Sequence, residues 1–150
     1  MQNRIPPPLL ALLAAIAMWA LDHWWPATAL VPAAYARVGL LPAAMGVAIV
    51  LTAMRLFRRA GTTISPLSPQ NSSHLVTTGL FSRSRNPMYV GLTCVLVGYA
   101  IGLGTASPWL MPPVFLAAIT WLQIFPEERA LRRLFGVEYD AYCRKVRRWL

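Results

Sequence analysis

Two short stretches of the sequence concentrate side chains able to bind a charged ligand. In the first, Arg85-Asn86-Pro87-Met88-Tyr89 closes a polar segment and opens an apolar run. Asn is a favoured N-cap and Pro is favoured at the first helical position, so a helix is predicted to start at Pro87. The head of such a helix offers unpaired N–H groups and the positive end of its dipole, a ready anion site. Arg85 stands beside it, and Tyr89, three residues past Asn86, falls on the same helix face. In the second stretch Glu127 and Glu128, the chain's only adjacent carboxylates, follow Pro126. Acids in a first helical turn stabilise it by about 0.3–1 kcal/mol each, and one of the pair can also hold a cationic group. The plain alternatives are a simple cap at Asn86 and pairing of the glutamates with the arginines at 129–133. The two stretches are expected to lie close in space, as the halves of a pocket at a membrane surface.

Other chemistry is thinner. His74 can serve as a base, a hydrogen-bonding pocket residue or a plain loop residue. With no second His, Cys or acid at ligand spacing, it makes no metal site. Residues 75–81 read as extended and then turned by Gly79, able either to present backbone groups to a ligand or to pack on the neighbouring spans. Cys94 lies in an apolar run and Cys143 in a basic tail, so no disulfide is expected. No Gly-rich dinucleotide fingerprint, phosphate loop or nucleophile–His set is present.

The elements that must position these residues follow from composition. Of 150 residues 57% are hydrophobic and 13% charged, against about 45–50% and 25% in soluble domains. The balance points to a single membrane domain. The net charge of +9 would suit nucleic acid, but its distribution does not: 12 of the 14 basic residues fall within 55–87 and 126–150, flanking apolar spans. That is the positive-inside pattern, with anionic headgroups as the partner. Both termini and the 55–87 loop are placed on the cytoplasmic side.

Four spans are predicted, at about 9–25, 37–57, 87–105 and 108–125, the last two as a hairpin. The first is read as a retained helix and not a cleaved signal, with Trp19, Trp24 and Trp25 as an interfacial belt beside Asp22 and His23. Residues 61–73 read as loop. Pro112 and Pro113 predict a kinked or broken upper part of the fourth span. Pro126 is expected to start a new helix that Gly136 stops. Tyr139, Tyr142 or Cys143, Val146, and Trp149 or Leu150 then form the apolar stripe of an interfacial amphipathic helix.

In order and spacing, LVTTGLFSRSRNPMYVG, PEERAL and LFGVEYDAYCRKVRRWL resemble the isoprenylcysteine carboxyl methyltransferase family, and more closely its small prokaryotic relatives. The likeness covers residues 61–150; the first two spans match only in hydrophobic character. It implies an integral-membrane methyltransferase with S-adenosylmethionine held between the last spans and the cytoplasmic tail, acting on a lipophilic acceptor such as an isoprenylcysteine-like carboxylate. Carried over by position, the cofactor-binding residues are His74, Leu75, Val76, Phe81, Asn86, Pro87, Met88, Tyr89 and Glu127. The helix head at Asn86 would take the cofactor's carboxylate and Glu127 its ammonium, while Phe81, Met88 and Tyr89 would pack the adenosine. Arg85, Gln123 and Glu128 are the candidates for orienting the acceptor. Three positions depart from the pattern: a family His is Asn86, a Tyr is Phe81, and an Arg near the acceptor is Gln123. A neutral amide orients a carboxylate less well than a guanidinium does. The likeness extends distantly to membrane sterol reductases, so an NADPH-dependent reductase and a non-enzymatic membrane scaffold are the alternative readings.

Overall fold

The computed structural model describes residues 5–59 and 75–150. It is helical, with no strand among the described residues and a single isolated bridge between Ala29 and Thr105. Helix α1 spans Pro7–Trp24, α2 Leu40–Arg59, α3 Pro87–Leu103, α4 Met111–Ile119 and α5 Phe125–Lys145. Short 3-10 turns occupy Ala33–Gly39, Gly79–Ser82 and Ser107–Leu110, and a π turn, Thr120–Ile124, joins α4 to α5. By length and composition Pro7–Trp24, Ala33–Arg59 and Ser107–Lys145 can each cross a membrane; Pro87–Leu103 is apolar but has 17 residues. At 1.5 Å per residue that is about 26 Å, slightly short of a hydrocarbon core of about 30 Å.

Helix α3 lies at the centre, packed against α1, α2 and α4. Its antiparallel contact with α2 is set by glycine. Gly39 faces Gly98 and Gly46 faces Gly91, so that a Cβ on Gly91 would sit 2.7 Å from the Gly46 carbonyl oxygen. On α3 Gly91 and Gly98 are seven residues apart, about two turns, and share one face; Gly46 of α2 and Gly39, in the 3-10 turn that leads into it, meet them. Between apolar helices in lipid no hydrophobic drive remains, and close backbone approach over small residues supplies the attraction instead. The outer faces are correspondingly greasy: Leu12 and Ile16 of α1, Leu41 and Met45 of α2, and Val114 of α4 are all exposed. The main core gathers Ala14, Met18, Tyr89, Leu96, Phe115, Ile119 and Ile124 around α3.

Helix α3 starts where the Asn86-Pro87 pair predicts. Pro87 occupies the first turn, and Gly104, at φ +86°, closes the helix with its N–H on the Ala100 carbonyl.

Beyond α3 three features qualify or overturn the expectation. Pro112 and Pro113 do not interrupt an α-helix; the upper part of the span is divided into a 3-10 turn, Ser107–Leu110, and α4, with both prolines in the first turn of α4. Nor does Pro126 begin a separate helix. The chain stays helical from Met111 to Phe135, and the π turn directly before Pro126 absorbs the ring. Within it the Phe125 N–H bonds the Thr120 carbonyl, five residues back. A proline at 126 cannot donate to the carbonyl of Leu122 and would press on it in a regular α-helix, which the wider turn relieves.

The third feature is the tail. Gly136 does break α5, at φ 48°, ψ −119°, a conformation open to glycine. The helix resumes but ends at Lys145, and Val146 is extended. The stripe predicted to face lipid is turned inward: Tyr139, Tyr142 and Val146 form a second core with Leu75, Leu131 and Phe135, and Trp149 packs on the main core.

Candidate functional site

The heads of α3 and α5, together with the tail, meet at one end of the bundle. Tyr89 is buried on α3, and its hydroxyl donates to Glu127 Oε1 at 2.7 Å. The two stretches that sequence reading set apart by 38 residues are therefore in contact. Continuity of α4 with α5 is what permits this. Ile119 and Ile124, five apart, are both fully buried; in a regular α-helix five residues turn about 500° and would face away from each other. The π turn takes up the extra residue and keeps Glu127 on the α3 side.

Glu128 has a different occupation. Arg148 Nε and Nη2 reach its two carboxylate oxygens at 2.9 and 2.8 Å, and Arg85 Nη1 lies 3.2 Å from Oε1. Such bidentate charge-assisted bonds are strong and directional. The hydrogen bond it donates to Glu128, opposed by burial, pushes the Arg148 guanidinium further up from its ordinary value, and the same group lies over the Phe125 ring, 5.0 Å from its centroid. Arg85 also donates to Cys143 Sγ at 2.7 Å. Arg85 and Glu128, candidates for orienting an acceptor, are thus joined to each other and to the tail.

Asn86 stands at the N-cap position, but its side chain caps nothing. Its Nδ2 donates to the Arg148 carbonyl at 3.0 Å, while the backbone N–H of Arg85 bonds the Arg147 carbonyl at 3.0 Å. Ser84 Oγ receives the Asn86 N–H. Segment 84–86 and the extended tail are thereby tied backbone to backbone. Pro87 is buried beneath this join and Met88 is half-buried.

Phe81 is buried, edge-on to Phe57 at 4.9 Å between centroids, and its carbonyl accepts from Tyr142 Oη at 2.6 Å. Gly79, at φ 62°, makes the turn before it against Leu56. Leu75 packs on the second core, and Val76 is half-buried; His74 lies outside the described residues. Burial raises the Tyr139 and Tyr142 phenols above their ordinary range, with the Glu128 charge adding at Tyr139 and Arg85 opposing at Tyr142. Gln123, inside the π turn, is fully buried, and its Nε2 donates to the Ile5 carbonyl at the start of α1. Among the described residues no cluster of His, Cys, Asp and Glu could hold a metal.

Sequence reading missed Ser84, Cys143 and Arg148 as partners of the site. The signal was faint: two residues of the basic tail and a serine, none unusual in type. A phospholipid methyltransferase family model matches residues 35–138. The chain belongs to the phospholipid methyltransferase family. That family is related to the isoprenylcysteine carboxyl methyltransferases, so the resemblance read from the three motifs holds. With its long apolar helices, this phospholipid methyltransferase family member is a multi-pass membrane protein of methyltransferase type. The match begins within the 3-10 turn before α2, so α1 lies outside it. An uncharacterized protein from Haemophilus influenzae is 41% identical over 63 residues, which is 42% of this chain and 100% of the relative. No solved structure matches the chain.

Proposed function

We propose that the protein transfers a methyl group from S-adenosylmethionine to a lipophilic acceptor drawn from the bilayer. The observation that carries this reading is the Tyr89–Glu127 bond between the heads of α3 and α5, in a chain of the phospholipid methyltransferase family. The donor set suits the cofactor's charges. Glu127, held by the Tyr89 hydroxyl, is the counterion for an ammonium, and the head of α3 with its dipole favours a carboxylate. Phe81, Met88 and Tyr89 give apolar area for a nucleoside, while Leu75, Val76, Asn86 and Pro87 complete the surround.

Bound there, S-adenosylmethionine supplies an electrophilic methyl: the acceptor's lone pair bonds the methyl carbon, the broken sulfur–carbon pair returns to sulfur, and any proton the acceptor carries leaves to water. The chain's own residues orient and exclude water. Holding both reactants in line contributes up to about 7–11 kcal/mol in favourable cases, so no general base is required for an ionised or amine acceptor. Arg85 and Glu128 serve as the brace that fixes the tail across the site. In this reading the protein has four spans, α3 being the short one. Residues 126–150 and both termini lie on the cytoplasmic side, at a surface of anionic headgroups that the basic segments favour.

The test is binding followed by transfer. Purified protein is expected to gain thermal stability from S-adenosylhomocysteine and not from NADPH. Glu127→Gln should weaken that binding about 10-fold or more with its melting midpoint little changed. Radiolabelled methyl should appear in a membrane-lipid extract. Protection by NADPH alone would favour a reductase, and no protection by either would favour a scaffold.

A further inference from the structure

Helices α1 and α2 both pack on α3 and hardly touch each other. Between them lies a groove of about 330 Å³, within the size range of small-ligand sites. Val95, Gly98 and Gly102 of α3 form its floor, Ala15 of α1 one wall, and Ala36 and Ala43 the other. Among the described residues that line it none is charged, and Tyr99 is the single one with a polar side-chain atom. Leu40 on its rim is 68% exposed and Gly102 is exposed, so the groove opens sideways to the bilayer. Water finds almost no partners in such a hollow, which therefore stays dry. Left empty, its walls forgo their dispersion contacts.

The glycines on the floor are not equivalent. Gly98 is explained by the close approach of α2, where a Cβ would strike backbone. Gly102 has no such reason. A Cβ there would meet one atom, the Ala36 carbonyl oxygen at 4.0 Å, and the backbone has no positive φ. Glycine weakens a helix relative to alanine, so this one keeps open a space that the protein itself does not fill.

Depth decides which leaflet supplies the occupant. Helix α3 begins at Pro87, beside the Tyr89–Glu127 bond. At 1.5 Å per residue Val95 lies about 12 Å and Gly102 about 22 Å along an axis of about 26 Å. The groove thus belongs to the half of the bundle away from that bond. A lipid rooted at the near face ends around the midplane, about 15 Å in. One rooted at the far face lies along the groove for most of its chain.

We propose that the groove is a binding site for one acyl chain of a glycerophospholipid from the leaflet opposite the Tyr89–Glu127 bond. The chain wedges between α1 and α2, its ester end toward Ala36 and Gly102 and its terminal methyl toward Ala43 and Val95. This lipid is not the methyl acceptor, and the site stands whether or not the methyltransferase reading does.

The experiment places the full chain in phosphatidylcholine nanodiscs doped with one of two photoreactive phosphatidylcholines. One carries a diazirine beside the acyl ester, the other at the terminal carbon of the chain. After irradiation, labelled residues are mapped by mass spectrometry. The ester-side group is expected on Ala36 and Gly102 and the terminal group on Ala43 and Val95, each well above Val114, an exposed residue of α4 that meets bulk lipid. Gly102→Phe puts a ring in the groove and should lower its labelling about 10-fold, since a filled interior admits no second occupant. Label at Val114 should be unchanged. Gly102→Leu serves if the phenylalanine variant does not fold. Groove label equal to that at Val114 would mean bulk lipid only, and the reverse order would mean a long chain rooted at the near face. Either result overturns the proposal. So does full labelling of Gly102→Phe, or a groove left unlabelled because a second copy of the chain covers it.

Discussion

Replacing Glu128 by Gln separates a brace from a binding residue, because its neighbour Glu127 is assigned the opposite role. Glu128 accepts from Arg148 at 2.8 and 2.9 Å and lies 3.2 Å from Arg85. Its side chain is 13% exposed and that of Arg85 14%, while Arg148 is 34% exposed. Removing one partner of a buried ion pair costs about 3–5 kcal/mol, since the other charge is left unpaired. Solvent at Arg148 screens part of this, which brings the expected loss to about 2–3 kcal/mol. For a chain of this size each kcal/mol moves the midpoint by about 2–4 °C, so the melt in detergent should fall by about 4–12 °C. The same protein, at a temperature where it remains folded, should bind S-adenosylhomocysteine within threefold of wild type. A Glu128→Gln protein that melts like wild type but has lost the ligand would refute the reasoning. The carboxylate would then act on the cofactor, and the arginines would be incidental to stability.

Two further outcomes follow from the packing. Burial raises the Tyr142 phenol, so the folded state holds that proton more tightly than the unfolded one; its contribution is complete below about pH 10 and is lost as pH rises above that. The melting midpoint should therefore drop on going from pH 9 to 11, and Tyr142→Phe should flatten that slope while losing the bond to the Phe81 carbonyl; an unchanged slope would show that the proton is not the cause. Gly46→Ala should cost about 1–3 kcal/mol or prevent folding, because its Cβ meets the Gly91 carbonyl oxygen. Gly102→Ala, whose Cβ finds only the Ala36 carbonyl oxygen at 4.0 Å, is the control and should be neutral or stabilising by folded yield and melting midpoint.

The helices of this protein were legible because their signals are local. Apolar length marks the spans, Asn86-Pro87 marks the head of α3, and Gly136 marks the break in α5 at a position expected of a residue that accepts positive φ. The partnership of the Arg-Asn-Pro-x-Tyr block with Glu127 was also anticipated from sequence, through the family resemblance that the three motifs carry.

Other features are properties of the whole chain. Which face of α5 turns inward depends on one extra residue in the π turn, and a 3.6-residue period read straight through Pro126 places the downstream side chains on the wrong side. The aromatic stripe of the tail is as amphipathic in sequence as one that lies on lipid. It is buried because residues 146–150 fold back and bond to 84–86, a contact between segments about 60 residues apart. The same return settles which glutamate is which. In the sequence Glu127 and Glu128 are adjacent and alike; only the arrival of Arg85 and Arg148 occupies one of them, and Tyr89 meets the other. Sequence alone determined a membrane bundle with a charged site at one end. Tertiary contact decided the division of labour there, because a carboxylate's role is set by the charges and hydrogen bonds that surround it.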